Sequence, residues 1–276
     1  MAATIDIKDQ QRSQWRDAAG AWDRYFEWYS QAFAPLMLWC ADAIAAAPGM
    51  RIMDVAAGSG QPTLTIAPRV QPGGTIVGID FSPEMVAVAE RRARQTGATN
   101  VSFRTMDAEQ LELPDASFDA VTCACGLIFF PDVHRALTEM RRVLKPGGRI
   151  AFATWPPEHL VGRMFAFIGR NSPPLPAGVA PPPQWGNPAT VSERLGARFD
   201  PPFFARGTMA FPALSIAHYR LFMEHSVGPM QKLVESLTND PAKLALLRAE
   251  YEALAAPYYV DNVVQQDFLL TRAQAR

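Results

Sequence analysis

The sequence predicts an α/β protein built on a parallel, doubly wound sheet, and three observations carry that prediction. Short apolar, β-rich runs alternate with helix-length segments between residues 51 and 155, and such alternation implies a parallel sheet with helices on both faces. The helical segments bring their own start and stop residues. A glycine turn follows the first β-rich run, the place where sheets of this class bind nucleotide-like ligands.

Composition agrees. A chain of 276 residues with 49% hydrophobic content can bury a substantial core. Its formal net charge of −1 offers no basic surface, so nucleic acid is not an expected partner. No apolar run approaches the roughly 18 residues of a membrane span. Residues 1–14 are polar and charged, without the apolar core of a secretory signal, so a cytoplasmic location is expected. The three cysteines, Cys40, Cys123 and Cys125, read as reduced core thiols, and no metal site is expected.

Taken in order, the first segment places Trp15, Ala18, Trp22, Tyr25, Phe26 and Tyr29 on one helical face. A second helix is expected from about Pro35 to Ala47, stopped by Pro48-Gly49. Five strands follow: "RIMDVAA" (51–57), "TIVGID" (75–80), "VSFRTM" (101–106), "FDAVTCA" (118–124) and "RIAFATW" (149–155). The clearest helix is "SPEMVAVAERRARQTG" (82–97), with Ser82 as N-cap, Pro83 at the first helical position and Gly97 past the end. "PDVHRALTEMRRVLKPGG" (131–148) repeats that logic, with basic residues in its last turn.

After Trp155 the proline-dense "NSPPLPAGVAPPPQWGNP" (171–188) excludes helix and central strand, which leaves an extended surface crossing. A short helix at 190–195, a strand at 203–211, helices over 215–256 and a strand at 262–271 returning to the sheet complete the reading. The organisation is one domain overall: a helical lid (1–48), a ligand-binding core (49–156), and cap helices with the last two strands (157–276).

Within "MDVAAGSGQPT" (53–63) the two glycines let backbone approach a ligand closely. Two features depart from the dinucleotide fingerprint: Thr63 stands where a third glycine belongs, and Asp54 would oppose a pyrophosphate. A positively charged ligand is favoured instead, and S-adenosylmethionine carries an ammonium and a sulfonium with no phosphate. Asp80 ends the second strand, where a carboxylate can accept from both ribose hydroxyls. Asp107 ends the third, within reach of an adenine amino group. Any one such aspartate reads equally well as a turn residue, but three at successive strand ends make a coherent site.

Four stretches, "IMDVAAGSGQPTLTIA", "GIDFSPEMVAVAERRA", "VSFRTMDAEQLELPDASFDAVTCACGLIFFPD" and "EMRRVLKPGGRIAFATW", resemble the successive motifs of class I S-adenosylmethionine-dependent methyltransferases. They are most similar to the branch that holds the ubiquinone and menaquinone C-methyltransferases and many small-molecule methyltransferases. The resemblance implies a Rossmann-like, seven-stranded sheet whose last strand is antiparallel. It implies that Asp54, Gly58 and Gly60 border the methionine part of the cofactor, that Ala56 also belongs to the cofactor site, that Asp80 holds the ribose, and that Asp107 and Ala108 meet the adenine. By the same likeness Phe81 and Met85 pack on the adenosine and Cys123 touches the cofactor at the fourth strand's end.

The acceptor is expected to be a small, aromatic or lipophilic molecule. Trp22, Tyr25 and Tyr29 of the lid, Phe129, Phe165 and His218 are the candidate contacts. After the fourth strand "GLIFFPD" offers an apolar wall and no base. Of the four histidines, His134 falls on the outer face of its helix and His218 and His225 share one face of another. His159, just past the fifth strand, is the candidate general base. An NAD-dependent oxidoreductase and a non-catalytic cofactor-binding module are the competing readings, and the aromatic N-terminal segment could also pair two subunits as a homodimer.

Overall fold

The β-rich runs become five parallel strands: β1 (Arg51–Val55), β2 (Thr75–Asp80), β3 (Val101–Thr105), β4 (Phe118–Cys123) and β5 (Leu144–Thr154). A computed structural model describes residues 2–173 and 182–276, with side chains for 8–173 and 184–276. Residues 174–181 of the expected proline-rich crossing lie outside the described residues, and its far end is not an extended surface segment: Pro182–Gly186 forms a 3-10 turn in which Trp185 is buried. Beyond it come β6 (Phe203–Pro212), the two-residue β7 (Tyr259–Val260) and β8 (Val263–Gln274).

The main sheet has seven strands in the order β3-β2-β1-β4-β5-β8-β6, with β7 paired to β8 alone. β8 runs antiparallel to both of its long neighbours, as the family likeness implied. β1 leads to β2 on one side and lies beside β4 on the other, so the chain changes direction between β1 and β4. A crevice opens there at the carboxyl ends of the strands.

Both faces of the sheet are covered. Met53, Val77, Val121 and Ile150 enter one hydrophobic cluster, while the preceding residues Ile52 and Ile76, with Ala120 and Ala151, enter another. That division is the two-residue period of a strand. The helices are α1 (Ala2–Arg24), α2 (Phe26–Ala43), α3 (Gln61–Ile66), α4 (Pro83–Thr96), α5 (Val133–Val143), α6 (Leu160–Arg170) and α7 (Pro188–Leu195). The late segment holds α8 (Ile216–Ser226), α9 (Gly228–Ser236) and α10 (Pro241–Ala255). Among the described residues no helix is long and apolar enough to cross a membrane.

α4 has the expected ends: the Ser82 hydroxyl accepts from the Met85 N–H and Gly97 sits in the left-handed region. Two expectations are corrected. The first helical segment breaks at Tyr25, and α2 starts at Phe26 rather than near Pro35, which lies inside it. Proline removes an N–H, costing about 3 kcal/mol in a helix interior. Here Pro35 and Gln31, whose carbonyl loses its partner, are both exposed, so water can hydrate the freed oxygen. The buried face of Tyr29, Phe33, Leu36, Met37 and Cys40 holds the helix together across the proline. β5 likewise begins earlier than expected, at Leu144, because Leu144 already pairs with Phe118.

Candidate active site

The glycine turn is built on Asp54. Its carboxylate is fully buried and accepts from the Thr63 hydroxyl at 2.6 Å and the Thr122 hydroxyl at 2.8 Å. Burial pushes its carboxyl up to about 6, against the pull of those hydroxyls. Asp54 is therefore not at the ligand surface, as the sequence suggested, but beneath it, tying β1 to α3 and β4. Thr63, in the place of the fingerprint's third glycine, supplies one of those ties.

Above this support the backbone turns sharply. Ala56 and Gly58 both sit in the left-handed region, at φ 54° and 55°. Gly60 caps α3 at φ 94° and packs where a Cβ would lie 3.2 Å from Ala89 and 3.3 Å from Phe103. Gly60 shapes the turn without lining the crevice, whereas Ala56 and Gly58 do line it.

Asp80, unlike Asp54, faces the crevice. It accepts from the backbone N–H of Gly58 at 2.9 Å and of Ser82 at 3.0 Å, which fixes its oxygens between turn and helix. Burial is again the largest influence and pushes this carboxyl up to about 6. At the end of β3, Asp107 accepts from the Glu109 N–H at 2.8 Å and from the Lys8 ammonium at 2.7 Å. Lys8 also pairs with Glu109 at 2.5 Å. Burial would lower the Lys8 ammonium, but the two carboxylates more than offset it and hold it above its ordinary range.

The crevice spans about 1070 Å³ including its open mouth. One end is lined by Phe81, Met85, Met106, Asp107 and Ala108 in addition to the turn. Its other end is walled by Trp15 and Trp22 from α1, Phe33 and Met37 from α2, and Phe129 and Phe130 beyond β4. Trp15 meets Phe129 edge-on at 5.1 Å, and Trp22 stacks on Tyr29 at 3.8 Å.

Several predicted residues stand elsewhere. Cys123 is fully buried in the core, and Ala124, Cys125 and Gly126, just past the strand end, form the wall in its stead. Tyr25 sits at the break between α1 and α2, Tyr29 lies behind Trp22, and Phe165 lies behind Phe129 at 5.8 Å; none of the three lines the crevice. His218 is exposed and accepts from the Leu214 N–H through Nδ1, at the start of α8. His159 is also outside. After β5 the chain turns toward β8 and β6, where His159 Nδ1 donates to Asp267 at 3.0 Å and Nε2 accepts from Arg206 at 3.0 Å. A base role for His159 fails on position.

Lys8, Gln11, Ser59, Gln61 and Cys125 line the crevice without having been singled out. Ser59 and Gln61 flank the second glycine and were within reach of the motif. Lys8 was not, since it meets Asp107 across 99 residues.

Comparison with known proteins completes the picture. A family model described as a methyltransferase domain matches residues 46–164. An uncharacterized protein of Mycobacterium tuberculosis is 31% identical over 277 residues, covering 99% of this chain and 100% of its own. The demethylmenaquinone methyltransferase of Thermus thermophilus is 46% identical over 107 residues, 39% of this chain and 48% of that enzyme. Among solved structures, YcgJ of Bacillus subtilis matches with a TM-score of 0.59 at 21% identity, covering 88% of this chain and 99% of that one. The cyclase SpnF matches at 0.55 with 19% identity, covering 95% and 96%. At such identities the structures speak for the fold alone.

Strand order, turn and aspartate row together define a class I S-adenosylmethionine-dependent methyltransferase. The chain belongs to that family and uses S-adenosylmethionine as its cofactor. Within it, the chain shares its whole length with the mycobacterial protein, and shares the motif-bearing core with the quinone methyltransferase. The crevice suits the cofactor: it offers carboxylates to hydroxyl and amino donors, and its single cation among the described residues, Lys8, is already paired.

Proposed function

We propose that the protein methylates a small, flat, lipophilic acceptor bearing an acidic hydroxyl or carbon. The observation that carries this reading is the aromatic wall at one end of the crevice, formed by Trp15, Trp22, Phe33, Phe129 and Phe130. Such a surface favours a planar apolar ligand, with affinity drawn from buried area. In this reading the donor's ribose lies on Asp80 and its adenine lies by Phe81, Met106 and Ala108, with Asp107 at the amino edge.

Bound there, S-adenosylmethionine supplies a methyl group on a cationic sulfur, activated for in-line displacement. The protein's residues then have to align the acceptor and exclude water. Trp15 and Trp22 close over the acceptor end from α1, while Phe129 and Phe130 press from below. Cys125, which lines the crevice just past β4, remains a thiol because burial raises it well above its ordinary value. No histidine lines the crevice, and Glu109, which reaches the Phe130–Asp132 stretch by accepting from the Asp132 N–H at 2.8 Å, is paired with Lys8, so in this reading the acceptor brings its own acidity, as phenols, hydroquinones and enols do. The name of the Thermus relative fits that chemistry.

The test is to incubate the purified protein with methyl-labelled donor and panels of hydroquinones, phenols and hydrophilic amines. Label should pass to members of the first two panels. Transfer confined to the hydrophilic amines would overturn the acceptor class.

A further inference from the structure

Gln61 opens α3 directly after the second glycine. Its side chain is only 7% exposed and lines the crevice. The Ser59 hydroxyl donates to its Oε1 at 2.6 Å, which commits one end of the amide. The other end, Nε2, is a buried donor with no partner in the protein. A buried donor left unmade is costly, and a glutamine that merely filled space would be better replaced by methionine or leucine. The amide thus points to an acceptor that arrives with a ligand.

The position of Gln61 along the sheet edge says which part of the ligand arrives. The strand ends run in the order β3, β2, β1, β4, each about 4.8 Å from the next. Asp107, Asp80 and Gln61 follow β3, β2 and β1, so Gln61 stands about 10 Å along the edge from the β3 end. With adenine and ribose at the first two stations, the amino-acid end of the donor falls at the third. Of its two charged groups only the carboxylate accepts hydrogen bonds. Among the described residues, the one cation lining the crevice is Lys8, engaged with Asp107 and Glu109.

We propose that Gln61 is a specificity-determining residue which binds the donor's α-carboxylate through Nε2, so that the site selects nucleosides carrying an intact amino-acid end. Ser59 acts through it as a positioning residue, holding the amide with its N–H groups toward the crevice. The assignment rests on the methyltransferase reading of the crevice.

The experiment is a thermodynamic cycle by titration calorimetry on the full chain, with S-adenosylhomocysteine and its decarboxylated analogue, which keeps the amine. The wild type should bind S-adenosylhomocysteine at least about tenfold more tightly than the analogue, the fold-change of one hydrogen bond to a charged group. Gln61→Met should weaken S-adenosylhomocysteine about tenfold and leave the analogue within about threefold. Gln61→Glu, which sets carboxylate against carboxylate, should weaken it further. Equal losses for both ligands in both variants would make Gln61 merely structural and overturn the assignment. Tighter binding of S-adenosylhomocysteine by Gln61→Glu would also overturn it, because the amide oxygen would then face the ligand's ammonium. Failure of the wild type to bind either ligand would bring down the underlying reading as well, a result distinct from those two.

Discussion

At the scale of single residues, the turn stores strain where it meets the next loop. Ala56 adopts φ 54°, which costs a residue with a Cβ about 1 kcal/mol or more. Directly across from it, a Cβ on Gly126 would lie 2.2 Å from the Ala56 methyl. One methyl fills the space between the β1 turn and the bend after β4. Gly126→Ala should therefore cost about 1–3 kcal/mol, and adding Ala56→Gly should recover most of it. Urea unfolding of the two single variants and the double variant checks this, and additive losses would show that the residues do not share the space. Asp54 shows how far one residue can be read from sequence. Its type and place mark it as special, but its partners Thr63 and Thr122 lie 9 and 68 residues away. Only the folded contacts decide that it faces the turn and not the ligand.

At the scale of elements, α1 acts as a strap across the crevice. Asp23 near its end accepts from Arg92 of α4 at 2.8 Å, Asp17 pairs with Lys232 of α9 at 3.0 Å, and the Trp22 indole donates to the Ser226 carbonyl at 3.0 Å. Near its start Lys8 pairs with Asp107 and Glu109, and Arg12 lies over the Phe81 ring at 5.6 Å. Partly exposed ion pairs contribute little, about 1 kcal/mol, so this end should open first. Lys8→Met should speed amide hydrogen exchange in the first half of α1 and leave α4 unchanged, measured by mass spectrometry on the apo protein. Unaltered exchange would remove Lys8 as a latch. Elements with local signals were legible: α4 from Ser82, Pro83 and Gly97, and β1 and β2 from their apolar runs. α2 was misjudged because proline is a strong local punctuator, and its tolerance depends on which side of the helix meets water.

At the scale of the whole molecule, two raised carboxyls shape the response to pH. Asp54 and Asp80, both pushed up to about 6 chiefly by burial, hold a proton more tightly in the folded chain than in the unfolded one. Their contribution to stability is complete below the unfolded value of 3.8 and is lost as pH rises through about 6. Carboxylates held low by partners, such as Asp119 beside Lys145, remain ionised at pH 5 and do not oppose this. The apo protein should resist urea better at pH 5 than at pH 7.5, by about 2 kcal/mol, and Asp54→Asn should shrink the difference. Cofactor affinity should move the other way and fall below pH 6, since the ribose needs Asp80 as an acceptor. Parallel pH trends for stability and affinity would contradict the two roles. The overall architecture was legible because alternating strands and helices permit few topologies. The far side was less so: His159 follows a strand end, yet the path of the chain carries it to β8 and β6.

The placement of β8 has a consequence for how the molecule is made. It is the last strand in chain order, yet it occupies an inner position, hydrogen-bonded to β5 on one side and β6 on the other. While the ribosome is still at work, β5 has one bare margin and the ten residues of β6 have nothing to join. Such ribbons invite mispairing. Mispairing during synthesis is therefore expected to be greatest in the interval before β8 emerges and takes its place between β5 and β6.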